Sequence, residues 1–202
     1  MTAADCETVP ITERDALIVV DPQNDFCPGG SLPVPHGDEV FDVVNAAMSQ
    51  FDVVMASQDW HPPEHRYFQA NGGPWPYHCL QGTDGAEFHP RLDESRIQEV
   101  FRKGMDPDLD GYSAFAGTEM AERLHARGVD RVFIAGLATD YCVKATAIES
   151  MQHGFDTFVL VDGIRAVEVN PGDGERALCA MREAGARLIS SAGLARDRTR
   201  SD

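Results

Sequence analysis

The chain has 202 residues, 43% of them hydrophobic, which suits one globular domain with a sizeable core and argues against general disorder. Lys and Arg number 17 against 33 Asp and Glu, a formal charge of −16 and the wrong sign for a nucleic-acid partner, because phosphate binding needs a basic surface. No apolar window reaches membrane-spanning length and the acidic, polar start "MTAADCETVPITERD" does not read as a secretory leader, so no membrane partner and a cytoplasmic setting are expected.

"ALIVV" at 16–20 reads as a short strand ending at Asp21. Residues 38–50 place Val40, Val43, Val44 and Ala47 on one helical face, and "FDVVMAS" at 51–57 is a second strand. Residues 58–116 are rich in Pro, Gly, His, Trp and Tyr. They have little periodicity beyond a helix or turn at 92–100 and a short strand around "EVFRKG". A loop this long in a compact domain usually has a functional reason, and it is read as a cover over the active end, not a second domain. Helices follow at 118–129, 142–154 and 174–185, alternating with strands at 131–136, 156–163 and 186–191; the tail "LARDRTRSD" is expected to fray.

Strands without strict alternation, separated by helices, predict an α/β fold: a three-layer α/β/α sandwich with a mainly parallel central sheet. One domain is expected over 1–202, with the insert at about 58–116. In such sheets ligands bind at the carboxyl ends of the strands. Asp21, Asp59, Cys142 and Asp162 all fall at or just past predicted strand ends. An Asp there is also a common turn former or cap, and for Asp21, followed by Pro22, that reading has equal weight. The first strand leads into "DPQNDFCPGG" and not into a G-x-G-x-x-G turn, which removes the expected dinucleotide cradle.

The five cysteines include no close C-x-x-C pair, so each is judged by its surroundings. Cys142 has two open readings. It is a buried thiol on a helix's inner face, or a nucleophile in a first turn capped by Thr139 or Asp140, where free N–H groups stabilise a thiolate or receive an oxyanion. Lys103 is either a solvated strand-edge lysine or a cation beside a thiol and a carboxylate. Asp59, His61, His65 and His78 form a mixed O/N set suited to Zn²⁺, Fe²⁺ or Mn²⁺, with Cys79 as an alternative fourth ligand of a closed zinc site. Phe26, Trp75 and Tyr112 either anchor loops or sandwich a flat ring. An exposed helix such as 142–154 offers a face for a homodimer or higher homo-oligomer.

Taken in order, "DPQNDFCPGGSL", "DWHPPEH", "WPYHCLQGTDGAEFHP", "FRKGMDPDLDGYSAF" and "GLATDYCVKATA" resemble the nicotinamidases of the isochorismatase-like cysteine hydrolase superfamily, over nearly the whole chain. The resemblance implies Asp21, Lys103 and Cys142 as a catalytic triad. It implies Asp59, His61 and His78 as ligands of one divalent metal, with Zn²⁺ expected and Fe²⁺ or Mn²⁺ as alternatives, and His65 as an additional or outer ligand. It assigns Phe26, Trp75, Tyr112 and Leu137 to substrate binding and the N–H groups of Ala138 and Cys142 to an oxyanion hole, and it puts a cis peptide bond at Leu137–Ala138. The implied reaction is hydrolysis of nicotinamide to nicotinate and ammonia through a thioester, with pyrazinamide as a further substrate. Tyr141 stands where many members carry histidine, with little consequence expected. Rival readings are an amidohydrolase of carbamoyl or ureido substrates and a catalytically silent metal-binding scaffold.

Overall fold

In the computed structural model, which describes residues 8–196, the apolar runs form strands and the amphipathic runs helices. The elements are β1 (Val9–Ile11), β2 (Asp15–Val20), α1 (Val40–Met48), β3 (Val53–Asp59), β4 (Glu99–Lys103), α2 (Met120–Ala126), β5 (Arg131–Leu137), α3 (Lys144–Gln152), β6 (Asp156–Arg165), α4 (Asp173–Ala184), β7 (Arg187–Ile189) and β8 (Leu194–Arg196). Six strands make one sheet in the order β4-β3-β2-β5-β6-β7, every pairing parallel. Helical connections between parallel neighbours cover both faces, which gives the expected three layers.

The two-residue period of β2 divides the core. Leu17 and Val19 join Phe41, Val44 and Met48 of α1 in one cluster. Ala16, Ile18 and Val20 join Met120 and Leu124 of α2, Ala147 of α3 and Met181 of α4 in the other. All six residues of β2 are buried, as a central strand covered on both sides requires. At the opposite end of the sheet from the site, the Arg131 guanidinium grips the buried Asp15 carboxylate through two bonds, 2.6 and 2.5 Å, tying β5 to β2. Near the other end of β5, Gly136 has φ +116° and a Cβ there would stand 2.1 Å from the Val20 carbonyl oxygen, so only glycine lets β5 run this close to β2.

Several boundaries differ from expectation. The first helix starts in a 3₁₀ turn at Gly37–Glu39 and becomes regular at Val40. The tail does not fray throughout: Leu194–Arg196 pairs in parallel with Val9–Ile11, a strand that the sequence reading missed, as a separate two-stranded ribbon. Cys6 and the rest of the tail lie outside the described residues. The 58–116 segment leaves the sheet after Asp59, and its β4 returns as an edge strand beside β3. No helix among the described residues is long and apolar enough to cross a membrane.

Candidate active site

Parallel strands carry their terminal side chains to one edge. Asp21 follows β2, Asp59 ends β3, Lys103 ends β4, and Cys142 follows β5 after a turn. Asp59 and Lys103 are register partners on neighbouring strands, so their side chains share one face of the sheet. Cys142 does not sit in the first turn of a capped α-helix. It lies in a wider turn closed by the Val143 N–H donating to the Ala138 carbonyl at 3.0 Å, and α3 begins only at Lys144. Neither Thr139 nor Asp140 caps that turn with its side chain. The Asp140 carboxylate instead accepts the N–H groups of Val167 and Glu168, at 2.9 and 3.0 Å, and braces the segment after β6. The Leu137–Ala138 peptide is cis, as the resemblance implied.

The Lys103 ammonium is fully buried and organises the cluster. It donates to Asp59 Oδ1 at 2.5 Å, to the Gly111 carbonyl at 3.0 Å and to Cys142 Sγ at 3.5 Å. It also lies 2.9 Å from Asp21 Oδ2, an ion pair that gives this buried oxygen the lysine as its charged partner. Asp21 Oδ1 accepts the Ser57 hydroxyl at 2.7 Å. A carboxylate oxygen of Asp21, one of Asp59 and the Cys142 sulfur lie within 4.8 Å of one another.

Burial, helped by the charge of Asp59, pushes the Asp21 carboxyl up to about 6 against the opposing pull of Lys103. Asp59 is equally buried, but Lys103 and His61 outweigh its desolvation and hold it well below the usual carboxylate range. Burial also opposes the charge on Lys103, yet Asp21 and Asp59 overcome it and keep the ammonium protonated. Burial raises the Cys142 thiol well above its ordinary value, with Lys103 pulling the other way. The resting group is a neutral thiol beside a carboxylate poised near neutrality, a pairing suited to proton transfer. Burial also raises Cys27 and Cys79, but neither sulfur shares the Lys103 hydrogen bond.

Asp59, His61 and His78 form a candidate metal donor set, their ligand atoms lying within 4.8 Å of one another. The His61 Nδ1 faces the Gly104 carbonyl and the His78 Nδ1 faces the Pro76 carbonyl, each at 2.9 Å. An Nδ1–H donated to each carbonyl leaves both Nε2 lone pairs for a metal, an outer-shell arrangement common to histidine ligands. Asp59 uses Oδ1 for Lys103, and its Oδ2 stands 3.4 Å from His61 Nε2, on the metal side. One carboxylate and two imidazoles fit a borderline divalent ion with open positions. His65 packs its ring 4.5 Å from that of His61 but lies outside the donor set. Cys79 lies outside the donor set: its N–H donates to Asp25 Oδ2 at 2.7 Å and its sulfur faces the Gly85 carbonyl.

Between the thiol and the donor set lies a cavity of about 320 Å³ to its open mouth, lined by Phe26, Trp75 and Tyr112, with Leu32, Tyr141 and Val167 completing the walls. The Trp75 indole N–H donates to the Tyr112 hydroxyl at 3.0 Å, and Tyr141 meets the Trp75 ring edge-on at 4.9 Å. Ala138 lines the same cavity. Leu137 does not: its side chain is fully buried in the α1-side core, because its neighbour in sequence, not Leu137 itself, faces the thiol. Asp162 is also absent from the site. β6 continues three residues past it, and its carboxylate takes the Ser191 N–H and the hydroxyls of Ser190 and Ser191. Sequence reasoning missed Ser57, hidden in an apolar run, and Gln23, whose amide clamps the Asp59 backbone through both its N–H and carbonyl oxygen at 2.8 Å. Two larger open grooves beside β4, about 1330 and 1280 Å³, contain neither a thiol nor a clustered donor set.

Residues 15–193 match the isochorismatase domain, and the chain belongs to that family of hydrolases. Within it, the chain is 41% identical to the nicotinamidase of Escherichia coli (strain K12), covering 88% of this chain and 95% of that one. The PnC1 protein of L. infantum, solved in complex with nicotinate, superposes with a TM-score of 0.89 at 39% identity, covering 94% and 100% of the two chains. The pyrazinamidase of Pyrococcus horikoshii, solved with zinc, superposes with a TM-score of 0.81 at 44% identity, covering 88% and 99%.

Proposed function

We propose that this protein hydrolyses nicotinamide to nicotinate and ammonia, with pyrazinamide as a second substrate, using Cys142 as nucleophile. One observation carries the reading. A thiol hydrogen-bonded by a buried lysine opens on one small aromatic cavity that Asp59 and His78 of the donor set also line, and the buried Asp21 carboxylate lies within 4.8 Å of the sulfur. The relatives named nicotinamidase and pyrazinamidase, and the nicotinate in the L. infantum structure, support the substrate.

Asp59, His61 and His78 would hold one divalent metal, zinc by analogy with the P. horikoshii structure. It would supply a Lewis acid at that end of the cavity. Phe26, Trp75 and Tyr112 hold the flat ring and exclude water, which presents the carboxamide carbon to Cys142. Asp21 takes the thiol proton as the sulfur attacks that carbon. The N–H groups of Ala138 and Cys142 receive the oxyanion. Asp21 then returns the proton to the amide nitrogen, the C–N bond breaks and ammonia leaves, with a thioester on Cys142. Water attacks the thioester, giving its proton to Asp21. The C–S bond breaks, nicotinate forms and Asp21 reprotonates the sulfur. Lys103 keeps Asp21 placed and favours negative charge on the sulfur.

The test is ammonia release from nicotinamide by metal-replete protein, with intact-mass detection of an acyl adduct on Cys142. Cys142→Ala should keep the fold and the metal and lose both signals. Near-normal turnover by that variant overturns the mechanism. This chemistry suits a cytoplasmic salvage step that recycles the pyridine ring of nicotinamide nucleotides, in a monomer or a homo-oligomer.

A further inference from the structure

We propose that Ser57 is a positioning residue for the proton transfer: its hydroxyl locks the Asp21 carboxylate so that the other oxygen of that group faces the Cys142 thiol. The inference rests on the reading of Asp21 as the base. It goes further by assigning a task to a residue in the middle of an apolar strand. Every residue of β3 is buried, and Ser57 is fully so. Packing alone would be met by an alanine, as at the preceding position, Ala56. A hydroxyl in such a strand has to be satisfied, and here both of its roles are spent on one residue. It donates to Asp21 Oδ1 at 2.7 Å and accepts the Asp21 backbone N–H at 3.3 Å.

The clamp answers a specific need. Asp21 has φ +45°, which a non-glycine residue rarely adopts, so its backbone has to be held from outside. Its carboxylate can rotate about the last side-chain bond. Lys103 pairs with Oδ2 at 2.9 Å but is shared with Asp59, the Gly111 carbonyl and Cys142, and Ser57 is the donor that fixes Oδ1. With Oδ1 engaged by Ser57, Oδ2 is turned into the buried space that Lys103 shares with the sulfur. The two-residue period of β3 puts Ser57 on the same face as Asp59, so this face of one strand supplies both a metal ligand and the orienting hydroxyl.

The experiment uses full-length metal-loaded protein and the variants Ser57→Ala, Ser57→Thr and Ser57→Val. Thr keeps the hydroxyl, and Val copies the shape of Thr without it. Three quantities are read: kcat and KM for nicotinamide, metal content, and the rate at which iodoacetamide modifies Cys142, followed by mass on the Cys142 peptide. Ser57→Ala should lower kcat about 10-fold to 100-fold, the size of one hydrogen bond to a charged group, with KM and metal content unchanged. Alkylation of Cys142 should slow in parallel, Thr should restore both rates and Val should not. Wild-type rates in Ser57→Ala, equal behaviour of Thr and Val, or a fall in kcat that tracks lost metal would each overturn the proposal. Alkylation needs no substrate. Wild-type protein that is alkylated at Cys142 yet releases no ammonia from nicotinamide refutes the substrate reading alone, and the alkylation series still decides the role of Ser57.

Discussion

The Lys103 ammonium lies 2.5 Å from Asp59 Oδ1 and 2.9 Å from Asp21 Oδ2, so a single buried cation serves the carboxylate of the candidate donor set and the one beside the thiol. Lys103→Met keeps an unbranched stem, one atom shorter, and removes the charge. It leaves two buried carboxylates facing each other with no cation between them. The expected cost is about 3–5 kcal/mol of stability, as for breaking a buried ion pair, together with loss of turnover. Urea unfolding at pH 8 reads the first; an unchanged midpoint at unchanged slope would show that Lys103 does not hold the pair.

In the proposed mechanism the Asp21 carboxyl, raised to about 6 by burial, is the acceptor in the first step, and activity then needs its ionised form. Its folded value lies above the ordinary one, and the useful form therefore fills as pH rises through about 6. The plot of kcat/KM against pH should fall about tenfold per unit below that point and level off above it. A plateau continuing unchanged to pH 5 removes Asp21 as the titrating base.

Gly104 has φ +65°, and a Cβ there would stand 2.4 Å from Cε1 of His61, whose Nδ1 faces the Gly104 carbonyl. Gly104→Ala should push the imidazole off its line and weaken metal binding about 10-fold or more, the usual effect of losing an outer-shell partner. His61→Ala should lose the metal outright. Elemental analysis after dialysis measures both, and full metal retention by His61→Ala takes it off the ligand list.

Tyr141, expected from sequence to matter little, meets Trp75 edge-on and packs 5.5 Å from Tyr112 on the cavity wall. Tyr141→Ala removes an aromatic contact of about 0.5–1.5 kcal/mol from the wall and not from the reacting atoms. KM for nicotinamide should rise about 2-fold to 10-fold with kcat nearly unchanged. Steady-state kinetics test this, and a kcat loss larger than the KM rise contradicts it.

The succession of strands and helices along the chain and the layers were legible because continuous apolar runs and amphipathic runs alternate cleanly after residue 118. Asp21 and Asp59 were legible as strand-end acids, since a parallel sheet sends such ends to one edge. Cys142 and Lys103 were only half legible. Their contact depends on the β3–β4 register and on a wide turn, and neither leaves a periodic signature. Asp162 shows the limit of the strand-end rule: a register shift in the β5–β6 pairing accompanies the extension of β6 beyond it. Ser57 was invisible because one serine in an apolar run looks like any other strand residue, and only the distance to Asp21 distinguishes it.

β4 is an edge strand, hydrogen-bonded to the sheet through β3 alone, and it carries Lys103. Edges are where a sheet opens first. If this strand detaches, the cation leaves both carboxylates while β2, β3 and β5 stay paired. The enzyme would then switch off while still folded by every spectroscopic measure of its core. Inactivation at denaturant concentrations well below the unfolding midpoint, reversed on dilution, is the behaviour such a construction implies. Operational lifetime would be governed by one peripheral strand, and engineering for endurance would begin there, not in the interior.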